Sequence, residues 1–282
     1  MYYFHPERSL IIFLLFLSFN ASAGRWMPHP PLSSNPQNHR TNYVHLIDGF
    51  KSRYESANLV VTTFSVAFAN VYLIERNDKL IMIDSGYPGD EKIIDNLIRK
   101  HGFNPENIDY LILTHGHVDH SGGAHYFQEK YGITTIGHVG DLDTFEKGQR
   151  GPACPTNFVA KVFKVQNKQI QLKPFTIDIL VESEFDLSHL GVDGKIIPWP
   201  GHTDGSVVIQ FDNILFVGDL VSGKPFRPSE PMLHYYMCDL EENAEQISRL
   251  LDWPDISFWY TGHAGPLTID KVRRFNAGRT SQ

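Results

Sequence analysis

The chain has 282 residues, with 25 Lys and Arg against 32 Asp and Glu and a formal net charge of −7. At this length, with 41% hydrophobic residues, it can bury one large core, so we expect one main folded domain. The acidic balance gives no electrostatic reason to bind a phosphate backbone, and this argues against nucleic acid as a partner.

The N-terminus has the pattern of a secretory signal. Arg8 supplies a positive charge, Leu10–Phe19 is almost purely apolar, and Ala21–Ala23 fits the small-x-small cleavage site. The apolar run is about half of the roughly 20 residues that a membrane span needs, so we expect no stable anchor after cleavage. Residues 1–23 are therefore predicted to be a signal peptide, and the protein to be secreted or periplasmic.

Residues 24–42 are rich in Pro, Ser, Asn and His and show no apolar period, which predicts a mobile lead-in before a folded domain at 43–282. The domain contains two cysteines, Cys154 and Cys238. An oxidising compartment permits a disulfide between them, and two buried thiols are the alternative.

In the first half of the domain, β-rich runs predict strands at Leu59–Phe64, Ala67–Glu75 and Lys79–Asp84, the last two joined by a hairpin. A helix follows from Asp90 to about His101 and ends at Gly102, and then come a buried strand, Ile108–Leu113, and a helix, Gly122–Tyr131.

The second half is predicted to contain further strands and one helix: strands Phe175–Val181, Lys195–Pro198, Ser206–Phe211, Ile214–Val217 and Ser257–Thr261, and helix Glu241–Leu251. Antiparallel strands with helices between them predict two sheets packed face to face with helices outside. Asp141–Lys164 has the composition of an elaborated loop, either a roof over a pocket or surface decoration.

A dense group of metal-binding residue types follows the predicted strand Ile108–Leu113. His115, His117, Asp119 and His120 place three imidazoles and a carboxylate within six residues. Imidazole nitrogen and carboxylate oxygen are ligands that zinc accepts. The segment is therefore predicted to hold metal.

Three further candidate ligands lie downstream: His202, Asp219 and His263. Each alone is weak evidence, because a loop histidine or a Gly-Asp pair is most often an ordinary surface or turn feature. All three nevertheless follow a β-like apolar run, with a glycine directly before the candidate ligand. This shared context favours a common site.

In this order the motifs resemble the metallo-β-lactamase superfamily over about Leu59 to Thr268. The resemblance implies an α+β fold, a four-layered αββα sandwich, with 43–282 as the catalytic domain. It implies that one metal is held by His115, His117 and His202, and a second by Asp119, His120 and His263, with Asp219 bridging both. It also implies that Asp84 orients the metal loop, for which a strand-end turn carboxylate is the alternative.

The resemblance further implies a hydrolase with two Zn²⁺ per chain; iron and manganese are alternative metals. Two Zn²⁺ with Asp119, Asp219 and a bridging hydroxide would leave a charge of about +1, which favours an anionic intermediate. A metal-bound hydroxide would attack an ester-, lactone- or amide-type bond of a small-molecule substrate, with Asp119 as the catalytic proton relay.

The substrate class stays open. Asp219 argues against a true zinc β-lactamase, which lacks this aspartate, although β-lactam hydrolysis remains an alternative for a secreted enzyme. Ser222 stands where acyl-homoserine lactonases carry a tyrosine, and Tyr235 or Tyr236 is a candidate substrate-pocket phenol, with aromatic packing as the other interpretation. Because 19 residues follow His263, we do not expect the helical glutathione-binding domain of glyoxalase II.

Two other function classes compete with hydrolysis. Persulfide dioxygenases resemble this fold and hold one iron with two His and one Asp, whereas the seven candidate ligands here favour two metals. A non-catalytic zinc-binding protein would not need two carboxylates arranged around an open water position. Neither the oligomeric state nor the natural substrate is predicted by the sequence.

Overall fold

The computed structural model describes residues 49–149, 151–166 and 170–280. The predicted signal peptide (1–23) and lead-in (24–42) lie outside these residues, as does the beginning of the predicted domain. Within the described ranges, no helix combines the length and the apolar character needed to cross a membrane.

The first sheet has seven strands in sequential order: β1 Gly49–Glu55, β2 Val60–Val66, β3 Ala69–Arg76, β4 Lys79–Ile83, β5 Tyr110–Ile112, β6 Thr134–His138 and β7 Ile179–Val181. Strands β1 to β4 pair antiparallel, and β4 to β7 pair parallel. The predicted hairpin between β3 and β4 turns at Asn77 and Asp78, both with positive φ, as a two-residue hairpin turn requires.

The second sheet has six strands in the order β15-β14-β11-β10-β9-β8. These are β8 Phe185–Asp186, β9 Lys195–Pro198, β10 Val207–Phe211, β11 Ile214–Phe216, β14 Phe258–Tyr260 and β15 Leu267–Thr268. Strands β11 and β14 pair parallel. A separate hairpin is formed by β12 Ser222–Lys224 and β13 Arg227–Met232.

Seven α-helices occur in the described ranges: α1 Glu91–Lys100, α2 Val118–Ser121, α3 Ala124–Tyr131, α4 Leu142–Lys147, α5 Phe158–Gln166, α6 Leu240–Leu251 and α7 Ile269–Thr280. The ends of α1 follow its sequence signals. Asp90 is at its N-cap and Gly102, with φ +88°, lies just beyond its end. The helix therefore begins where Asp90 predicted, but the Asp90 side chain makes no capping hydrogen bond.

Alternation along the strands explains the layers, because successive side chains of a strand point to opposite faces of its sheet. In β3, Tyr72 and Ile74 enter the core between the two sheets, whereas Leu73 enters the core that α1 and α3 cover. In β11, Phe216 lies between the sheets and Leu215 packs in the core beneath α6 and α7. The predicted α+β four-layered αββα sandwich is confirmed.

Some expectations were wrong in detail. Asp141–Lys164 is not simply a loop, since it contains α4 and most of α5; the glycines and prolines between these helices hid two short helical runs. Strand β6 was not predicted, because Ile136 is its only large apolar residue and it contains Gly137, which gives space to Phe145. The predicted strand Phe175–Val181 pairs only over its last three residues.

The two cysteines form a disulfide. Cys154 and Cys238 are 84 residues apart in sequence and bonded in the structure. The bond joins the stretch before α5 to the stretch after β13, and the Met237 N–H donates to the Cys154 carbonyl alongside it, at 2.9 Å. This result decides between the two alternatives that the sequence left open.

Candidate metal centre

The candidate ligands follow the carboxyl ends of four strands. His115 follows β5, His202 follows β9, Asp219 follows β11 and His263 follows β14. Strands β11 and β14 are parallel neighbours, so their carboxyl ends meet at one edge. The Gly262 N–H donates to the Gly218 carbonyl at 2.7 Å and holds these two ligand loops together.

One cluster combines the three predicted ligands of the first metal with the shared aspartate. One atom each of His115, His117, His202 and Asp219 lies within 4.8 Å of the others. His117 Nδ1 and His202 Nε2 are 2.8 Å apart, and His115 Nε2 is 3.6 Å from Asp219 Oδ2. This spacing is compatible with one ion bound between them.

The second cluster combines Asp119, His120 and His263 with the same Asp219, again with ligand atoms within 4.8 Å of one another. His120 Nε2 lies 3.4 Å from His263 Nε2, and His263 Nε2 lies 3.2 Å from Asp119 Oδ2. Short helix α2 carries Asp119 and His120, which sets them beside each other at the end of the metal loop. The structure thus brings all seven predicted ligands together, with Asp219 in both clusters.

Three of the histidines use Nδ1 for a hydrogen bond that points Nε2 into the centre. His120 Nδ1 donates to Asp84 Oδ2 at 2.8 Å, His202 Nδ1 to the Tyr236 carbonyl at 3.0 Å, and His263 Nδ1 to a backbone carbonyl at 2.9 Å. This pattern puts the proton on Nδ1 and leaves the Nε2 lone pair available, as is usual for metal-binding histidines.

The residues fit a bound metal by a second criterion. His115 Nε2 and both carboxylate oxygens of Asp219 are buried without a hydrogen-bond partner among the described residues. Buried polar atoms are normally paired, so unpaired atoms that converge on one point indicate a missing partner. A cation bound between nitrogen and carboxylate donors would supply it.

The carboxylates and imidazoles of the centre shift each other's pKa values. Burial opposes ionisation of Asp219, but the surrounding imidazoles, led by His234 and His263, outweigh it and lower the pKa of Asp219 well below its usual range. Burial likewise opposes charge on His263, yet Asp219 and Asp119 raise the pKa of His263 to about 10. In His115 burial dominates and lowers the pKa. Protons thus occupy the second cluster in the absence of metal, and metal must displace them.

Asp84 lies directly behind the metal loop. Its carboxylate accepts the Thr114 N–H at 2.8 Å and the Thr114 hydroxyl, in addition to His120 Nδ1. Strands β4 and β5 are parallel, which brings Asp84 to the same edge as His115. Asp84 is fully buried and has φ +59°, an uncommon conformation for a residue other than glycine.

Gly262 permits the close approach of the last ligand loop. A Cβ atom at this position would lie 2.1 Å from Asp219 Oδ1 and 2.6 Å from His120 Cε1. The glycine before His263 is therefore required by space, because the backbone itself forms a wall of the centre.

Two residues beside the metal centre, His234 and Tyr87, are not predicted from the sequence. His234 Nε2 lies 3.2 Å from Asp219 Oδ2, and burial lowers the pKa of His234 to about 4 against the opposing field of Asp219. Tyr87 is half-buried, and burial together with the charge of Asp119 raises its pKa well above the usual value. His234 lies apart from the other candidate ligands in the sequence and in none of their motifs, so spacing could not identify it.

The two predicted pocket tyrosines lie next to His234. The Tyr236 hydroxyl donates to the Ala160 carbonyl at 3.2 Å, a contact that packs α5 against this segment. Burial raises the pKa of Tyr235, and its carbonyl accepts the Thr156 N–H at 2.9 Å. A role of either phenol in substrate binding stays a prediction.

Comparison with known proteins gives a consistent result. The family model described as the metallo-β-lactamase superfamily matches residues 65–257. A probable metallo-hydrolase of Methanocaldococcus jannaschii is 31% identical over 199 residues, which are 69% of this chain and 87% of that protein. A hydroxyacylglutathione hydrolase of Anaeromyxobacter dehalogenans is 26% identical over 148 residues, 52% of this chain and 44% of its own length.

Solved structures share the fold. The metallo-β-lactamase MIM-2 matches with a TM-score of 0.58 at 16% sequence identity, covering 83% of this chain and 89% of that one. At this identity the likeness concerns the architecture alone.

Proposed function

The chain belongs to the metallo-β-lactamase superfamily, and on that basis we propose that it is a secreted dizinc hydrolase of ester-, lactone- or amide-type bonds. The family and the relatives named as metallo-hydrolases make it a metal-dependent hydrolase. The number and identity of the metals, the bond cleaved and the location of the protein belong to the proposal.

The observation that carries the proposal is the sharing of Asp219 by two four-residue clusters. Each cluster offers one ion at least three ligands besides this carboxylate, so two ions can bind side by side with Asp219 between them. His115, His117 and His202 would hold the first ion, and Asp119, His120 and His263 the second. The donor set of imidazole nitrogens and carboxylate oxygens suits zinc, and also accommodates iron or manganese.

Two such ions would supply an activated water at neutral pH and a positive field for a developing anion. Around them, the protein provides orientation and proton transfer. Asp119 is the side chain suited to take the proton of the attacking water, because its Oδ2 lies at the edge of the second cluster, 3.2 Å from His263 Nε2. Asp84 fixes the ring of His120, and Asp219 contributes its carboxylate to both clusters.

Secretion is supported by the N-terminal signal pattern and by the disulfide between Cys154 and Cys238, because such bonds persist mainly outside the cytosol. The disulfide lies in the segment that carries His234 and Tyr236, beside the metal centre. An oxidising compartment would therefore favour the intact site.

The test is a panel of chromogenic lactone, β-lactam, thioester and phosphodiester substrates, applied to the protein from residue 24 onward after zinc loading. We expect turnover of at least one acyl-type substrate, loss of turnover after complete metal removal, and recovery on zinc addition. The Asp119→Asn variant should lose most of the turnover, whereas Asp143→Asn, which replaces an exposed side chain of α4, should not. Full activity of the metal-free protein would contradict the proposal, and one bound iron with oxygen uptake would favour the oxidoreductase alternative.

A further inference from the structure

His234 brings a fifth imidazole to the shared carboxylate. It follows β13 and is 4% exposed. Its ring stacks on that of His263, with centroids 5.2 Å apart and 18° between planes, and meets the ring of His202 edge-on at 4.9 Å. It therefore lies between a ligand of the first cluster and a ligand of the second.

The contacts of His234 parallel those of His202. His202 directs Nδ1 to the Tyr236 carbonyl at 3.0 Å and Nε2 to Asp219 Oδ2 at 3.5 Å. His234 directs Nδ1 to the same carbonyl at 3.2 Å and Nε2 to the same carboxylate oxygen at 3.2 Å. In both cases Asp219 Oδ2 makes no hydrogen bond to the imidazole nitrogen. Short nitrogen–oxygen contacts without a hydrogen bond are expected of atoms that bind one cation.

His234 can adopt the tautomer that binds metal through Nε2. The Tyr236 N–H also lies 3.2 Å from His234 Nδ1, so the ring can carry its proton on either nitrogen. With the proton on Nδ1 and donated to the Tyr236 carbonyl, the Nε2 lone pair faces the centre. A cation near Asp219 would select this tautomer.

The segment that carries His234 is held firmly. The Thr156 hydroxyl donates to the His234 carbonyl at 3.0 Å, and the Thr156 N–H donates to the neighbouring Tyr235 carbonyl at 2.9 Å. The Cys154–Cys238 disulfide closes the same pair of segments. A ligand supported by such a surrounding shell keeps its geometry when metal leaves and returns.

We propose that His234 is an eighth ligand of the metal centre, whose Nε2 binds metal beside Asp219 Oδ2. The inference rests on the proposed dinuclear function. It adds one imidazole to the seven ligands that the sequence pattern predicts. Compared with the seven-ligand set, the proposal predicts one more nitrogen ligand on the side of the centre that faces β13 and the disulfide.

The test uses cobalt(II) as a spectroscopic substitute for zinc in the full mature chain. His234→Phe keeps an aromatic ring against His263 but has no nitrogen, and His234→Gly leaves a cavity that free imidazole can fill. The matched control is His125→Phe, a histidine on α3 outside both clusters. The readouts are the visible absorption of bound cobalt, the number of imidazoles seen by X-ray absorption, and metal affinity by chelator competition.

We expect His234→Phe to lose one imidazole from the coordination shell, to change the cobalt spectrum and to weaken metal binding by about 10–100-fold. Free imidazole should restore the spectrum of His234→Gly, and His125→Phe should match the wild type. An unchanged spectrum and imidazole count in a folded His234→Phe would overturn the inference while leaving the dinuclear centre standing. A wild-type chain that binds no cobalt or zinc would overturn both.

Discussion

The carboxylate of Asp141 accepts a hydrogen bond from the backbone N–H of Gly116, with 2.6 Å between Oδ2 and the nitrogen. Gly116 lies between His115 and His117. The same carboxylate accepts the Thr203 hydroxyl at 2.8 Å and the Gly205 N–H at 3.3 Å, directly after His202. One buried side chain thus fixes the two loops that carry all three histidines of the first cluster.

Replacement of Asp141 should therefore weaken the first metal site. In Asp141→Asn only one side-chain oxygen remains as an acceptor. Either Gly116 and Thr203, which both donate to Oδ2, or Gly205, which donates to Oδ1, therefore loses its partner, and a ligand loop moves. We expect metal affinity to fall by about 10–100-fold, measured by chelator competition. Asp143→Asn, which removes only a surface carboxylate paired with Lys147, is the control. Equal affinity in both variants would show that Asp141 does not position the loops.

Gly262→Ala should abolish metal binding, although it replaces none of the ligand residues. Its Cβ would lie 2.1 Å from Asp219 Oδ1, so either the carboxylate or the His263 loop must move. Gly278→Ala is the control, because a Cβ atom there meets nothing within 4 Å and should change the free energy of unfolding by less than about 1 kcal/mol. The measurement is the metal content of both purified variants. A wild-type metal content in Gly262→Ala would show that the backbone at residue 262 does not approach Asp219 this closely.

The disulfide should stabilise both the fold and the site. It closes a loop across 84 residues of sequence, and loss of a disulfide commonly costs about 2–4 kcal/mol. We expect the Cys154→Ser/Cys238→Ser double variant to unfold at lower denaturant concentration and to bind metal more weakly. The second effect follows because the tethered segment supplies the Tyr236 carbonyl to His202. Wild-type protein with reductant should behave like the variant, and equal stability of oxidised and reduced protein would contradict this role.

The metal-free protein should lose stability as the pH rises above neutral. The pKa of His263 is raised to about 10 in the folded state, against about 6.5 in an unfolded chain. Its contribution is therefore complete below about pH 6.5 and is lost as the pH rises toward 10. Thermal melts of chelator-treated protein across this range measure the effect. His263→Asn should show a flatter profile, and an identical slope in the variant would rule out His263 as the cause.

The fold could be predicted from the sequence where strands and helices have clear periodicity. Strand Lys195–Pro198 was predicted with its observed bounds, since a short apolar run is flanked by polar and turn residues. Helices α4, α5 and α7 were not predicted. The glycines and prolines around α4 and α5 hide their short periodic patterns, and α7 is mostly polar and contains Gly278, so tertiary packing determines these helices. The hairpin of β12 and β13 contains glycine and prolines, which weaken any strand signal.

The residues of the site likewise divide into those that the sequence predicts and those that it does not. The seven predicted ligands have a motif, because each follows a strand end, and their family order adds information that a single chain does not contain. His234 and Asp141 also follow strands, β13 and β6, but neither strand was predicted and neither residue belongs to the family pattern. Each reaches the centre through long-range contacts, His234 through the disulfide-linked segment and Asp141 through the backbone of Gly116, and such contacts leave no local pattern in the sequence.

The most direct test of a dinuclear zinc centre is the metal content of the purified mature protein, measured by inductively coupled plasma mass spectrometry. The same measurement is made on the Asp219→Ala variant. We predict two zinc ions per wild-type chain. We predict at most one in Asp219→Ala, because both clusters lose their shared carboxylate. One iron per wild-type chain, or two zinc ions retained in the folded variant, would contradict a dinuclear zinc centre built on Asp219.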